Sequence, residues 1–491
     1  MANIFKHSDS NIVTSLVAAG LQVLTQQDEE YATRQKSYWS KTARLAPSCI
    51  VRPRSADEVS TTVKILVAVD QKFAVRSGGH TQFAGGNNIE GGVTIDLGQL
   101  DWTKFDEPTE TVDIGPGGRW RQVYGELQKH GRTVSGGRDG NVGVGGILLG
   151  GGKTFFTAKR GFGCDDVVAY DVVLADGRLV TADATHNEDL FRCLKGGGNN
   201  FGIVTSFRMH AIPSQSIWGG LNVFPKQVAP RAIQALVNFT ENVHMDEDSH
   251  LLFILTYTGL CTTLLLSPQF KETVVVAAYV QIAGVEKAPA YENFLRLPAV
   301  MDTTKMTTIK DVVDDYDFAP LDHHGIFFTA TFKNDAKIVT KASELHDVLV
   351  EQLLSLIPDG DFITQCLVQP LPVHYGQNSK AAGGNIMGVE NQSTNGLLFV
   401  AVVMVKTAEQ EKFAYPKVKA WIASLKDFAE TIENGNLPWI YLNYADSSQE
   451  VLQSYGEDNV RRMTDVAAKY DPKQVFQRLC SGGFKLNARK H

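Results

Sequence analysis

Nine glycines fall within the eighteen residues from Ser135 to Gly152. Ordering so many glycines removes a large amount of backbone freedom. The stretch therefore reads as a loop whose backbone closes tightly on a ligand. A second stretch, Arg76-Ser-Gly-Gly-His-Thr81, reads as the end of a strand, Phe73–Val75, turning sharply at Gly78 and Gly79. Consecutive N–H groups in such a turn form a nest that suits a diphosphate. His80 ends the turn, where an imidazole serves as a base, a metal ligand, an attachment point or simply a turn residue. The spacing excludes two familiar phosphate loops. A Walker A loop ending at Gly152-Lys153-Thr154 needs glycine where Ile147 stands, and a dinucleotide fingerprint on Gly143 and Gly145 needs glycine where Leu148 stands.

The rest of the composition sets bounds. A chain of 491 residues has room for about three domains of ~150 residues. Net charge is 47 − 54 = −7, without the cationic runs of a nucleic-acid binder. Cys49, Cys164, Cys193, Cys261, Cys366 and Cys480 are scattered, with no metal-ligand spacing. They read as buried thiols, although their even number leaves room for a disulfide. No segment reaches the ~18 apolar residues of a membrane span. Ile12, Leu16, Val17, Leu21 and Leu24 fall at helical spacing, so 12–24 reads as an amphipathic helix rather than a secretory signal. The expected location is intracellular, in the cytoplasm.

In chain order, 1–45 reads as an arm in which Tyr38 and Trp39 are free to pack on the body. Ser55-Ala-Asp-Glu58 is a capping box. Strands are expected at Phe73–Val75, Val93–Leu97, Thr111–Ile114, Val167–Leu174, Leu179–Thr181 and Ile203–Met209, with Asp96 in a structural role. After Pro213, strands at Leu251–Tyr257, Thr273–Val280, Gly325–Phe332 and Gly396–Val405 alternate with helices at Val228–Val243, Lys337–Leu356 and Glu409–Phe428, the last kinked or delayed by Pro416. This is an α+β pattern.

The words Val75-Arg-Ser-Gly-Gly-His80, Val142-Gly-Val-Gly-Gly146, Leu194-Lys-Gly-Gly-Gly-Asn-Asn-Phe-Gly-Ile-Val204, Tyr441-Leu-Asn-Tyr444 and Tyr470-Asp-Pro-Lys-Gln-Val-Phe476 occur in one order across most of the chain. Together they resemble the berberine bridge enzyme-like FAD-linked oxidases, of the vanillyl-alcohol oxidase or PCMH type, as found in fungal secondary metabolism. The resemblance implies a two-part FAD-binding domain over 46–212, divided near 105. A substrate domain with a helix-covered antiparallel sheet would span 213–438, and 439–491 would return to the FAD domain.

It also implies residue roles. FAD would rest on Arg76, Ser77, Gly78, Gly79, His80 and Thr81. The glycine-rich loop would add Asp139, Gly140, Val142, Gly143, Gly145 and Gly146, followed by Ile147, Gly150 and Lys153. Ile203, Val204 and Asn443 would complete the contacts, and no metal is expected. His80 would carry a covalent bond to the flavin 8α-carbon. Many relatives add a second link through a cysteine where this chain has Asp139, so a single link is expected. Cys164 is the only substitute nearby. Val142 stands where the family controls access of dioxygen, and valine favours an oxidase. Lys153 stands where plant relatives often have tyrosine; it would be either a cation beside the flavin or a solvated side chain.

Tyr441, Asn443 and Tyr444 are expected on a strand, the first two against the flavin and Tyr444 handling the substrate's proton. Relatives often place tyrosine or glutamate on the strand that here reads Leu397 to Met404, which is wholly apolar. That implies an apolar pocket wall and no second base. Phe399, His323 and His324 are candidate substrate contacts. The expected activity is hydride transfer from an apolar small molecule to flavin N5 with dioxygen as oxidant, by a monomer or weak homo-oligomer. A sugar oxidase, a non-redox isomerase or pericyclic cyclase on a flavin scaffold, and a non-catalytic flavin binder are the alternatives.

Overall fold

The N-terminal arm departs first from the sequence pattern. The structure, a computed structural model, describes residues 12–258, 272–316 and 322–486. The first helix covers 12–18 and does not reach Leu24. Gly20 stops it, with φ at +78°. The Leu21 N–H bonds to Leu16 O and the Gly20 N–H to Val17 O, the paired bonds of a Schellman cap. The chain then enters a strand, Val23–Thr25, paired antiparallel with Cys49–Val51. The arm is thus the edge of a four-stranded sheet, beside Cys49–Val51, Val93–Asp96 and Phe73–Arg76, which run parallel to one another.

The helix Ala56–Ala68 begins as expected, the Ser55 hydroxyl accepting the Glu58 N–H. The Glu58 carboxylate, however, takes the Arg54 N–H rather than that of Ser55. Asp96 pairs with Arg34 and accepts the Gly98 N–H, a structural role. A five-stranded antiparallel sheet follows, ordered Thr103–Asp106, Thr111–Ile114, Ile203–His210, Val167–Val173, Leu179–Asp183. The end of the chain returns to the first sheet: Leu479 O accepts the Phe73 N–H, and Phe476 packs edge-on against Phe73.

Between these parts lies a nine-stranded antiparallel sheet. Its central strands run Ile217–Pro225, Thr273–Gln281, Ser249–Thr258, Ile363–Leu371, Gly396–Val405, His324–Lys333. Helices Ala229–Asn242, Ala336–Leu356 and Ala408–Glu430 pack against this sheet, the last running through Pro416 without a break. Its opposite face meets the part built on the two smaller sheets. Both faces are covered, which is why Gly396–Val405 is buried at every position and shows no alternation of polarity.

Side chains two apart share a face. His250, Leu252 and Ile254 point one way from their strand, as do Gln365, Leu367 and Gln369 from theirs. Phe399 points the other way. It is buried against Trp421 of the last helix, with ring centroids 5.4 Å apart. The expected substrate contact is therefore a core residue beneath the sheet. Phe399→Ala should lower stability by about 3–5 kcal/mol, the usual loss for a buried aromatic, while leaving the visible spectrum of bound flavin unchanged. Thermal denaturation and absorbance check this; an altered flavin spectrum with unchanged melting would return Phe399 to the site.

Candidate active site

Two loops cross with no side chain between them. A Cβ on Gly78 would lie 2.5 Å from Gly143 Cα, and one on Gly143 would lie 2.4 Å from Gly78 Cα. Ser77 fastens the crossing: its hydroxyl donates to Pro116 O and accepts the Gly145 N–H. Gly79 turns with φ at +67°, which glycine adopts without strain. Beside this crossing opens a cleft of about 400 Å³, bounded by the part that holds the two loops and by the nine-stranded sheet. A backbone cradle that any Cβ would fill fits a cofactor held by main-chain N–H groups.

Most of the expected cofactor residues line this cleft: Ser77, Gly78, Gly79, His80 and Thr81 from the turn; Asp139, Val142, Gly143, Gly145 and Gly146 from the loop; then Ile147, Gly150, Lys153, Ile203, Val204 and Asn443. Arg76 and Gly140 do not. The Arg76 guanidinium turns toward the arm, donating to Arg34 O and Ser37 Oγ and lying 3.8 Å over the Tyr38 ring. Gly140 packs under Arg121 and Val313. His323 and His324 also miss the cleft. His323 O accepts the Lys41 N–H, and His324 Nδ1 meets Thr42 and Glu411, so the pair ties the arm to the sheet. Cys164 is wholly buried outside the cleft, and burial raises its thiol well above the usual range.

The arm reaches the site through Trp39. Its indole stacks on His80 at 4.9 Å, and its backbone N–H donates to Gly79 O. Burial, aided by the charge of Arg119, lowers His80 to about 3. The imidazole is therefore neutral at ordinary pH, with a lone pair available. Lys153 is not solvated. It is 3% exposed, its ammonium donates to Pro370 O at 2.6 Å, and burial lowers it well below the usual lysine range.

Asn443 and Tyr444 lie in a 3₁₀ turn, Leu442–Tyr444, with Tyr441 as its N-cap, and not in a strand. Residues three apart eclipse in that geometry. The two tyrosines therefore share a side, with ring centroids 4.9 Å apart at 88°. The Tyr441 oxygen accepts the Gly152 and Lys153 N–H groups and Asn443 Nδ2. Burial holds this phenol above its ordinary range, so it anchors the glycine-rich loop in protonated form. Asn443 also donates to Ile147 O and stands where a Gly150 side chain would be.

The Tyr444 oxygen has different partners, which the sequence did not single out. Arg138 Nη2 donates to it at 2.7 Å and Gln369 Nε2 at 3.2 Å. Arg138 Nη1 reaches Gln369 Oε1 at 2.8 Å and His250 Nε2 at 3.0 Å. Burial and then Arg138 keep His250 well below the usual histidine range, so its nitrogen accepts this bond as the neutral ring. Arg138 stood in the glycine-rich loop and was readable as a cation beside a ligand. His250 and Gln369 come from strands whose facing only the register reveals.

Comparison with known proteins places the fold and the family. Residues 47–183 match the FAD binding domain family. The FAD-dependent monooxygenase drtC of Aspergillus calidoustus is 36% identical over 96% of this chain and 88% of its own length. The FAD-dependent monooxygenase sdcF of Emericella nidulans is 34% identical over 93% and 94%. Among solved structures, 6-hydroxy-D-nicotine oxidase from Arthrobacter nicotinovorans superposes with a TM-score of 0.75 at 18% identity, covering 96% of this chain and 98% of that one. A glucooligosaccharide oxidase from Acremonium strictum, described with a 6-S-cysteinyl, 8α-N1-histidyl FAD, gives 0.73 at 18%, covering 97% and 100%. The fold and site define a FAD-dependent oxidoreductase of the PCMH type. The chain belongs to the berberine bridge enzyme-like family.

The glycine crossing yields a prediction. Gly78→Ala and Gly143→Ala each place a carbon within 2.6 Å of the opposing backbone. Both should purify with little or no flavin, read as the ratio of visible to 280 nm absorbance. Full flavin loading in either variant would show that the crossing is not needed.

Proposed function

We propose that this enzyme is an oxidase of an apolar small molecule, with FAD carried by a single covalent bond through His80 and Tyr444 exchanging the substrate's proton. The observation that carries this reading is the Tyr444 hydroxyl. Two donors occupy its lone pairs, which leaves its own O–H to point elsewhere. Its ring packs on the apolar wall that includes Trp39, Phe327, Leu367 and Met404. When bound, FAD supplies a two-electron acceptor that dioxygen restores with release of hydrogen peroxide. Val142 beside the crossing leaves that face open to dioxygen on the family's pattern.

The single link is supported by a neutral, half-buried His80 that lines the cleft, by Asp139 where a cysteine would be needed, and by the histidyl FAD described for the glucooligosaccharide oxidase. The sugar reading has less support. Among described residues of the nine-stranded sheet, Leu252, Ile254, Phe327, Leu367 and Met404 line the cleft, with Gln365 the one polar side chain. Sugar hydroxyls left without partners would be costly. Peroxide release across panels of alcohols, free sugars and polycyclic compounds tests the substrate class; robust turnover of free sugars would overturn it.

Denatured protein should stay yellow, with one flavin on the His80 peptide by mass. His80→Ala should release its flavin on denaturation. Since His80 titrates at about 3 rather than near its ordinary value of 6.5, covalent loading of apoprotein with FAD should be level between about pH 5 and 7.5. A rate that falls below pH 6.5 would mean that the imidazole protonates normally.

Tyr444→Phe removes one oxygen. It should keep fold and flavin while slowing anaerobic flavin reduction by about 10²–10⁴, the usual contribution of positioned proton transfer. Stopped-flow absorbance with a substrate found in the peroxide screen measures this. Reduction as fast as in the parent would assign the proton to another group, or to none.

A further inference from the structure

We propose that Arg138 is a positioning residue that acts through Tyr444, holding the phenol in place and balancing the negative charge it carries when its proton leaves. The inference rests on the reading of Tyr444 above and deepens it.

An ordinary tyrosine is a poor base at neutral pH, because its phenolate is populated only near pH ~10. A positive charge in contact with the oxygen changes that balance. Arg138 supplies one at 2.7 Å. Its bonds among the described residues go to neutral partners: the oxygen of Tyr444, the amide oxygen of Gln369 and the neutral ring of His250. Asp139 is the one carboxylate among the described residues lining the cleft, and its Oδ1 accepts the Asn141 N–H. The guanidinium thus lacks a hydrogen-bonded counter-ion until Tyr444 becomes one.

The geometry is specific to arginine. One nitrogen serves Tyr444 while the other serves Gln369 and His250. Gln369 closes the ring by accepting from Arg138 and donating to Tyr444. The planar fork fixes the direction of each bond, so the phenol oxygen is fixed from two sides. The titratable groups around Arg138 and the phenol are Tyr441 beside the same turn, His250 from the 249–258 strand, Lys153 after the glycine-rich loop, Tyr316 of the cleft wall and Tyr375 beneath Lys153. The charge balance is simple. The Tyr444 proton passes to solvent, the anion on its oxygen pairs with Arg138, and the substrate's proton then neutralises that oxygen.

The test needs no substrate. Tyrosinate absorbance at 295 nm is titrated in the FAD-loaded enzyme. Subtracting the Tyr444→Phe titration isolates the Tyr444 signal. The same subtraction is made in Arg138→Met and in Gln369→Glu backgrounds. Removing a cation disfavours the phenolate, so in Arg138→Met the Tyr444 signal should move up by about 1–2 pH units, as expected for loss of an opposite charge in contact. Gln369→Glu keeps Arg138 but offers it a carboxylate, and should move the signal the same way with little change in volume. This second variant keeps the test decisive if Arg138→Met does not fold. Arg138→Lys should restore part of the shift, since charge without the fork suffices only in part. A Tyr444 signal at the parent's pH in either of the first two variants overturns the proposal. Unchanged flavin reduction in Tyr444→Phe is a separate result, which would sink the proton-transfer reading even if Arg138 moved the titration as expected.

Discussion

The crossing of Gly78 and Gly143 is the constraint on which the rest of the site depends. Two backbones meet where a Cβ on either would lie within 2.6 Å of the other. Attraction between the segments does not explain this approach; the absence of side chains permits it. Once the loops are locked by Ser77, Tyr441 and Asn443 can clamp the second loop through its N–H groups and Ile147 O. That clamp sets where the 3₁₀ turn lies, and the turn carries Tyr444 into the cleft. Positioning therefore proceeds outward from main chain to side chain.

Much of this was legible because glycine and the motif words constrain backbone directly. Four of the six central strands and the long helices also followed from pattern, whereas Ile217–Pro225 and Ile363–Leu371 were not anticipated. What escaped was facing. Gly396–Val405 is buried throughout, so polarity gives no sign of which side of it meets the cleft, and Phe399 was placed on the wrong one. The polar triangle of Arg138, Gln369 and Tyr444 joins residues 231 and 306 positions from Arg138, a separation that no local pattern encodes. The turn at Tyr441 was mistaken for a strand because alternation over four residues cannot separate a two-residue period from a three-residue one. Gly20, by contrast, was a readable stop signal within an apolar pattern.

The arm changes how the domain plan is understood. Residues 1–45 were read as an arm with one helix, with Tyr38 and Trp39 free to pack on the body. Trp39 does stack on His80 and Tyr38 does lie under Arg76, but the arm also supplies an unexpected strand, Val23–Thr25, at the edge of the first sheet. The arm shields one side of the imidazole and contributes to the burial that keeps it neutral.

The same sheet also needs the other end of the chain. Phe73, three residues before the turn, bonds to Leu479, and Phe476 packs against its ring. A ribosome still translating residue 470 has already released every glycine of the cradle, but not the segment that seals the strand leading into it. The strand leading into the turn is therefore covered only by chain made long after the glycines of the cradle, and until then Phe73 lacks both that backbone partner and that ring contact.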